Sequence, residues 1–527
     1  MTGLDFIPYG PAAVLVQLDD TLRPHAATLV HHLARRVADA APEELVEITP
    51  GFSSVLLRFQ RRAANPARIL ELLGEIPAPE SLPPAAGRQH TIPVRYDGPD
   101  LAELADRHGL SIAEVIQRHT ASELHVRCLG FMPGFGYLSG LDPTLHTPRR
   151  DTPRTVVPAG SVAIGGEHAG IYPVPSPGGW NLIGSTSHRL FNPAATRLDE
   201  QFLLAPGDRV RFAASSDSGT PAFDPARWTT PSMAWLRVKS TGAILGVQDA
   251  GRPGLARFGV ATGGALDPAA LHWANRLLGN PDAAPVLEFA GGGQIFEALT
   301  HLTVAITGAD AGAEVHAPDG TVRTLRPWGT INLAPREILQ FRGPREGVWT
   351  YLAVRGGIAA PRPLGSASTN ARAGIGCAPR AGDTLAGTAH DTLLGDATGS
   401  RRTDPTRIPG RNTNAIRVWP GPQSESFDET AHRGLFRNIW RISPKSDRVG
   451  YRLDGPPIPA PSRYLESEPV LPGSIQVPPD GLPIITLPDG PTVGGYPKIG
   501  WVDPRDLWRV AQTPAGRPLE LIPTGWD

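Results

Sequence analysis

The sequence predicts a mainly β protein with α+β elements, in which barrel-like units follow a small N-terminal α/β domain. Three observations carry that prediction. Glycine and proline number 59 and 57 in a chain of 527 residues and have no short period, which excludes collagen and low-complexity readings and leaves short strands separated by turns. Strand-like apolar runs such as AAVLVQL, SSVLLRF and HTIPVRY recur along the chain, whereas helical periodicity is confined to a few segments. Several short motifs of the first half return in the same order in the second. With 40% hydrophobic residues the chain can bury several cores, and its length suggests several domains.

Residues 1–85 combine AAVLVQL and SSVLLRF with helical patterns at LVHHLARRVADA and ARILELLGEI, the mixture expected of a small α/β domain. PAPESLPPAAGRQ is rich in proline and small residues and reads as a linker. Residues 88–214 form a strand-rich domain that opens on HTIPVRY and holds one helix, DLAELADRHGLSIAEVIQRHT. The polar, proline-broken SSDSGTPAFDPARWTTPS marks a boundary before WLRVKSTG. From there residues 233–400 and 414–527 read as two further barrel-like domains, divided by the thin segment GTAHDTLLGDATGSRRTDPTRIPGRN.

The internal repeat is measurable. GYL begins at Gly136 and GYRL at Gly450, an offset of 314, while PAGSVAI and PGSIQV set Gly160 against Gly473, an offset of 313. SPGGWNLIG and TVGGYPKIG set Gly178 against Gly494 at 316, and the closing strands PGDRVRF and AGRPLEL set Gly207 against Gly516 at 309. The common order and near-common offset point to a duplicated fold.

Composition and motifs exclude several function classes. Fifty basic residues against 51 acidic ones leave a formal charge of −1, which gives no overall pull toward nucleic acid or an anionic membrane. Cys128 and Cys377 are the only cysteines and lie outside any CxxC spacing, so no disulfide framework or cysteine zinc site is indicated and a reducing cytoplasm fits. The start MTGLDFIPYG lacks the pattern of a signal peptide, and no stretch has the uninterrupted apolar length of a membrane span. There is no Gly-Lys pair for a P-loop, no GxSxG elbow and no HExxH, and the adjacent His31 and His32 cannot share one face of a strand. No metal is expected.

The candidate site residues cluster around the repeated glycines. One explanation of Gly178–Gly179 and Gly494–Gly495 is tight turns with positive φ. The other is that bare backbone lets a flat amide approach N–H groups while Trp180 or Tyr496 forms a stacking wall. Lysine is scarce, with Lys239, Lys445 and Lys498 the only three, so Lys498 inside GGYPKIG is either an ordinary exposed turn residue or an ammonium chosen to receive a small anion. Polar side chains gather in short motifs: QDAGRPG with Gln248, Asp249 and Arg252; GALD with Asp267; GPQ with Gln423; SDRVGYRL with Asp447, Arg448 and Arg452; and IQVP with Gln476. Each could be an internal ion pair or a satisfied strand end, and together they suit a polar ligand that is neutral or weakly anionic.

At these residues the chain resembles known families. GFMPGFGYLSGL, TPRRDTPRTVVPAGSVAIGG and IYPVPSPGGWNLIGST resemble the family once labelled allophanate hydrolase subunit 1, which includes the B subunit of the bacterial ATP-dependent 5-oxoprolinase and a sporulation kinase inhibitor. VQDAGRPGLARFGV, GGALD, LAVRGGI, GSAST, WPGPQ, SDRVGYRLDGP, GSIQVPPDGLPI and VGGYPKIGWV resemble the partner family, which holds the C subunit of that enzyme. The resemblance implies a fusion of the two subunits, cyclophilin-like barrels, and kinship with the carboxyltransferase domain of urea carboxylase. It implies an ATP-consuming component, with Mg accompanying the nucleotide, that opens 5-oxoproline to glutamate together with a separate 5-oxoprolinase A-type protein. The alternatives are a carboxyltransferase served by carboxybiotin on a separate carrier, acting on urea or another amide, and a kinase-inhibitor-like binding protein. Self-association stays open. Within this frame Lys498 is expected to stabilise charge, Asp447 and Arg448 to orient the ligand, and Gln476 and Tyr496 to recognise an amide. Gly494, Gly495, Gln423, Gly178, Gly179 and Trp180 are expected to complete the substrate-binding walls.

Overall fold

The computed structural model describes residues 3–40, 42–60, 69, 71, 87–216, 221, 226–229, 231, 233–387, 401–408, 411, 415–461 and 465–525. Most of the expected helix at ARILELLGEI, and most of the segments expected to separate the domains, lie outside the described residues.

The N-terminal module is an antiparallel sheet ordered Leu4–Pro8, Ala13–Leu18, Ser54–Phe59, Leu45–Pro50, with the helix Ala26–Ala40 on one face. Alternation along the strands sends Val14, Val16, Val55 and Leu57 toward Leu29 and Leu33 of the helix. Ala13, Leu15 and Leu56 point the other way, onto Leu471 and Trp501. A sheet buried on both faces explains why AAVLVQL is an almost continuous apolar run.

Two rings of seven strands follow, far apart in sequence and alike in topology. The first runs Asn181–Ser185, Ser161–Gly165, His168–Ile171, Gly136–Ser139, Leu124–Leu129, Arg209–Ala214, Gln89–Val94. A bridge between Arg95 and Ser185 joins its outermost strands. The second, a closed barrel, runs Lys498–Val502, Ser474–Gln476, Ile484–Thr486, Gly450–Asp454, Trp440–Ile442, Pro518–Pro523, Ala415–Pro420. Each ring contains one parallel pair at the same place, Arg209–Ala214 on Gln89–Val94 and Pro518–Pro523 on Ala415–Pro420. The duplicated motifs therefore occupy equivalent strands. The mainly β fold matches the sequence expectation, and the helices differ from it in one place. The single helix expected over DLAELADRHGLSIAEVIQRHT is two, Leu101–His108 and Ile112–Ala121. Gly109 ends the first in a left-handed conformation at φ 65°, and Ser111 with Glu114 forms a capping box that starts the second.

Between the rings, residues 236–385 fold as sheets of six and five strands that share one core, including Phe289, Phe296 and Phe341. These are two separate sheets, where the sequence reading expects a barrel-like domain. The helix Pro268–Leu278, capped by Asp267 and ended by Gly279 at φ 73°, packs between it and the second barrel.

The modules interlock. Glu47 of the N-terminal sheet accepts the amides of Gly254 at 3.0 Å and Ala256 at 2.9 Å. Phe258 stacks on Phe202 of the first ring at 4.5 Å, its carbonyl accepts the Gly134 amide, and a Cβ on Gly259 would fall 2.5 Å from the Met132 carbonyl. Gly10 sits so close to Trp501 that a Cβ there would lie 2.0 Å from the indole. Cys128 and Cys377 are buried free thiols. Among the described residues no helix is long and apolar enough to cross a membrane.

Candidate functional site

A cleft of about 1220 Å³ opens where the two rings and the intervening sheets meet. The first ring contributes Phe131, Tyr137, Arg149 and His168, the middle sheets Asn370 and Arg372, and the second barrel Asp447, Gln476, Gly494, Gly495 and Tyr496. Phe131 has φ 65°, a strained value for a side chain of its size, inside a tight turn closed by Met132 N–H to Gly130 O. Burial, reinforced by Arg127, Arg149 and His146, holds the His168 imidazole down to about 4, so at neutral pH the ring is uncharged.

Behind the second-barrel wall lies a buried polar network. Lys498, with no exposed surface, places Nζ 2.6 Å from Glu468 Oε1 and donates to the Tyr496 carbonyl at 3.3 Å. Glu468 Oε1 also accepts from Gln423 Nε2 at 2.7 Å, while Gln423 Oε1 accepts the Lys498 amide at 3.1 Å. Glu468 lies opposite Gly494 on the adjoining strand. The ammonium is therefore not open to the cleft. It is a layer deeper, tied to the backbone of the turn that forms the wall.

Arg448 and Asp447 are both engaged by partners within the protein. Arg448 pairs with Glu288 and with Asp489 at 2.7 Å and donates to the Gly264 carbonyl at 2.7 Å, joining the second barrel to the middle sheets. Asp447 lines the cleft, but its Oδ1 accepts the amides of Val449 at 2.8 Å and Gly450 at 3.3 Å. Gln476 lines the cleft and donates to Thr486 Oγ1 at 2.8 Å, and Tyr496 stands 46% exposed in the wall. Asp249 is satisfied by Ser366, Ser368 and two amides, and Asp267 caps a helix and pairs with Arg411. Both fit internal structural roles.

The first-ring glycines behave differently from the expectation. None of Gly178, Gly179, Gly494 and Gly495 has positive φ, so neither pair is the tight turn considered from sequence. Gly178, Gly179 and Trp180 lie outside the cleft lining. A Cβ on Gly178 would sit 2.2 Å from the Tyr172 hydroxyl, and one on Gly165 would sit 2.4 Å from the Trp180 ring. Bare backbone here serves packing of Tyr172 and Trp180, whereas Gly494 and Gly495 do face the cleft. The sequence did not single out Glu468 or Arg149. LESEPV carries no signal for one particular acid, while the arginines of TPRRDTPR were visible without any sign of which one faces a ligand.

Residues 4–203 match the family described as carboxyltransferase domain, subdomain C and D, and residues 258–523 match carboxyltransferase domain, subdomain A and B. The chain belongs to the carboxyltransferase-domain family. Within that family it is homologous to both the B and the C subunits of 5-oxoprolinase. It is 42% identical over 207 residues to the 5-oxoprolinase B subunit of Escherichia coli O157:H7, covering 38% of this chain and 92% of that protein. It is 36% identical over 292 residues to the 5-oxoprolinase C subunit of Escherichia coli strain K12, covering 54% of this chain and 90% of that protein. The crystal structure of TTHA0988 superposes with a TM-score of 0.83 at 35% identity, covering 97% of this chain and 99% of that one. Urea amidolyase of Lachancea kluyveri is 29% identical over 317 residues, which is 55% of this chain and 17% of that protein.

Proposed function

We propose that this protein is the fused B and C component of an ATP-dependent 5-oxoprolinase, which activates the lactam of 5-oxoproline for opening to glutamate together with a separate A-type protein. The observation that carries the reading is the cleft itself, because segments homologous to the B subunit and segments homologous to the C subunit wall the same cavity. Gly494, Gly495 and Tyr496 offer bare backbone and a ring to a planar amide, with Gln476 beside them. Lys498 acts at one remove: by holding the Tyr496 carbonyl it fixes the turn, and fixed dipoles stabilise charge that develops on a lactam oxygen. Arg372, Lys445 and Arg452 at the cleft supply the positive charge that suits the phosphates of ATP, with Mg entering as the nucleotide's counterion. The domain limits 1–85, 88–214, 233–400 and 414–527 and a cytoplasmic location belong to the same proposal.

The test is a coupled assay of the purified protein with a 5-oxoprolinase A-type protein. ATP consumption that depends on 5-oxoproline is the expected result. The similarity to urea amidolyase supports a second reading, a carboxyltransferase served by carboxybiotin. Carboxylation of urea or another amide with an added biotin carrier, and no response to 5-oxoproline, would install it instead. A partner protein bound without turnover in either assay would favour the regulatory reading.

A further inference from the structure

The cleft-facing cations differ in how they are held. Arg149, Arg372, Lys445 and Arg452 all line it, and among the described residues none forms an ion pair. Arg149 alone is seated on a ring, its guanidinium 5.9 Å from the centre of the Trp180 indole. Trp180 is itself fixed, 5% exposed, packed against Phe135 at 5.3 Å and Tyr137 at 5.8 Å, with Gly165 pressed onto its face. The neighbouring arginines of the same segment are consumed by the fold. Arg150 binds Asp100 at 2.9 Å and Arg154 binds it at 2.6 Å. A guanidinium whose face is placed by an aromatic platform, and whose N–H edges have no carboxylate, is preorganised for a bidentate anion.

We infer that Arg149 is the specificity-determining residue of the cleft and binds the carboxylate of the substrate, while Gly494, Gly495 and Tyr496 receive its amide. This rests on the proposed function for the identity of the ligand, a lactam bearing a carboxylate. It also goes further, because it makes one ligand bridge the B-type ring and the C-type barrel. A neutral amide such as urea offers Arg149 no carboxylate to pair with, only a single carbonyl oxygen. Trp180, expected from sequence to stack on the ligand, becomes the support beneath the residue that touches it. Paired charge-assisted hydrogen bonds of this kind discriminate by roughly tenfold to a hundredfold.

The experiment compares binding of 5-oxoproline with that of 2-pyrrolidinone, the same ring without the carboxylate, by titration calorimetry on the full chain. Wild type should bind 5-oxoproline at least about tenfold more tightly, and Arg149→Met should abolish that preference while leaving 2-pyrrolidinone unchanged. Arg149→Lys should keep part of it, since charge remains and the fork is lost. Arg372→Met and Lys445→Met should leave the preference intact. Arg149 is exposed, so an unchanged thermal midpoint is expected to accompany the loss. An undiminished preference in Arg149→Met, or no preference in wild type, would overturn the inference. Turnover is judged apart: a protein that selects 5-oxoproline through Arg149 yet never supports ATP consumption would uphold this site and sink the proposed function.

Discussion

The two rings share one strand order and differ in what stands beneath their paired glycines. In the first, GPD places Asp100 where its carboxylate accepts the Leu182 amide at 2.7 Å and binds Arg154, the residue opposite Gly178. In the second, GPQ places Gln423 where its amide oxygen accepts the Lys498 amide and its nitrogen meets Glu468, the residue opposite Gly494. Position by position, Asp100, Arg154 and Leu182 stand against Gln423, Glu468 and Lys498. One copy carries its cation on the edge strand and an apolar residue on the barrel strand. The other moves the cation onto the barrel strand, buries it completely and ties it to the wall of the cleft. The same scaffold therefore yields a packed, self-satisfied glycine segment in one ring and a cleft-facing one in the other, and duplication explains why both carry the glycines while only one shows them to the cleft.

The largest effect that would break this comparison is at Lys498. Lys498→Met leaves Glu468 charged, buried and without its ammonium, which should cost roughly 3–5 kcal/mol in denaturant unfolding. Displacement of the turn should also slow 5-oxoproline-dependent turnover about a hundredfold. Lys498→Arg should fail as well, because a site with no exposed surface has no room for a guanidinium fork. Near-normal stability and turnover in both variants would mean that the two rings do not differ in the way proposed. Asp100→Asn is the matching change in the first ring. It weakens two guanidinium contacts and one amide contact, and should cost roughly 1–3 kcal/mol of stability with turnover changed less than about threefold.

Acid should separate the halves by a smaller amount. His119 is buried against Phe212 and held down to about 3 by desolvation, and His168 is held at about 4. The ordinary value is 6.5, so between 6.5 and these depressed values the unfolded chain binds more protons than the folded one, and stability falls as the pH drops. Each histidine contributes a slope of up to about 1.4 kcal/mol per pH unit through that window. Hydrogen exchange compared at about pH 7 and about pH 5, corrected for intrinsic rates, should show protection lost from Leu124–Leu129 before Lys498–Val502. Loss in the opposite order would contradict the assignment.

The smallest expected effect is none. Cleaving the chain at Ser218 should leave two fragments that co-elute, because Glu47, Phe258 and Gly10 lock the halves together by contacts independent of the connection. Fragments that elute separately as folded species would show the seam to be incidental.

Much of this organisation was legible in the sequence. Strand alternation and the repeated motifs disclosed two related β units, since a duplicated fold must keep its turn glycines at equivalent strand starts; Gly160 and Gly473 both have positive φ, at 80° and 95°. The break at Gly109 was written in Gly109 and the Ser111–Glu114 capping box, and periodicity alone passed over it. The site was harder. Which face of a strand a lysine takes, and which acid meets it across hundreds of residues of topology or tens within a loop, is decided by tertiary packing, so Lys498 was visible as an oddity while Glu468 and Arg149 were not. Trp180 stands out in the sequence for its ring and its glycines, but Tyr172 fills the space left at Gly178, and the Trp180 ring fills the space left at Gly165.

The most direct measurement is a crystal structure of the protein with 5-oxoproline bound. The expected result is a single ligand across the cleft, its lactam amide against Gly494, Gly495 and Tyr496 and its carboxylate on Arg149, with Lys498 still bound to Glu468 behind the wall. A lactam bound beside Gly178, Gly179 and Trp180, or lying in the cleft with its carboxylate turned away from Arg149, would contradict it.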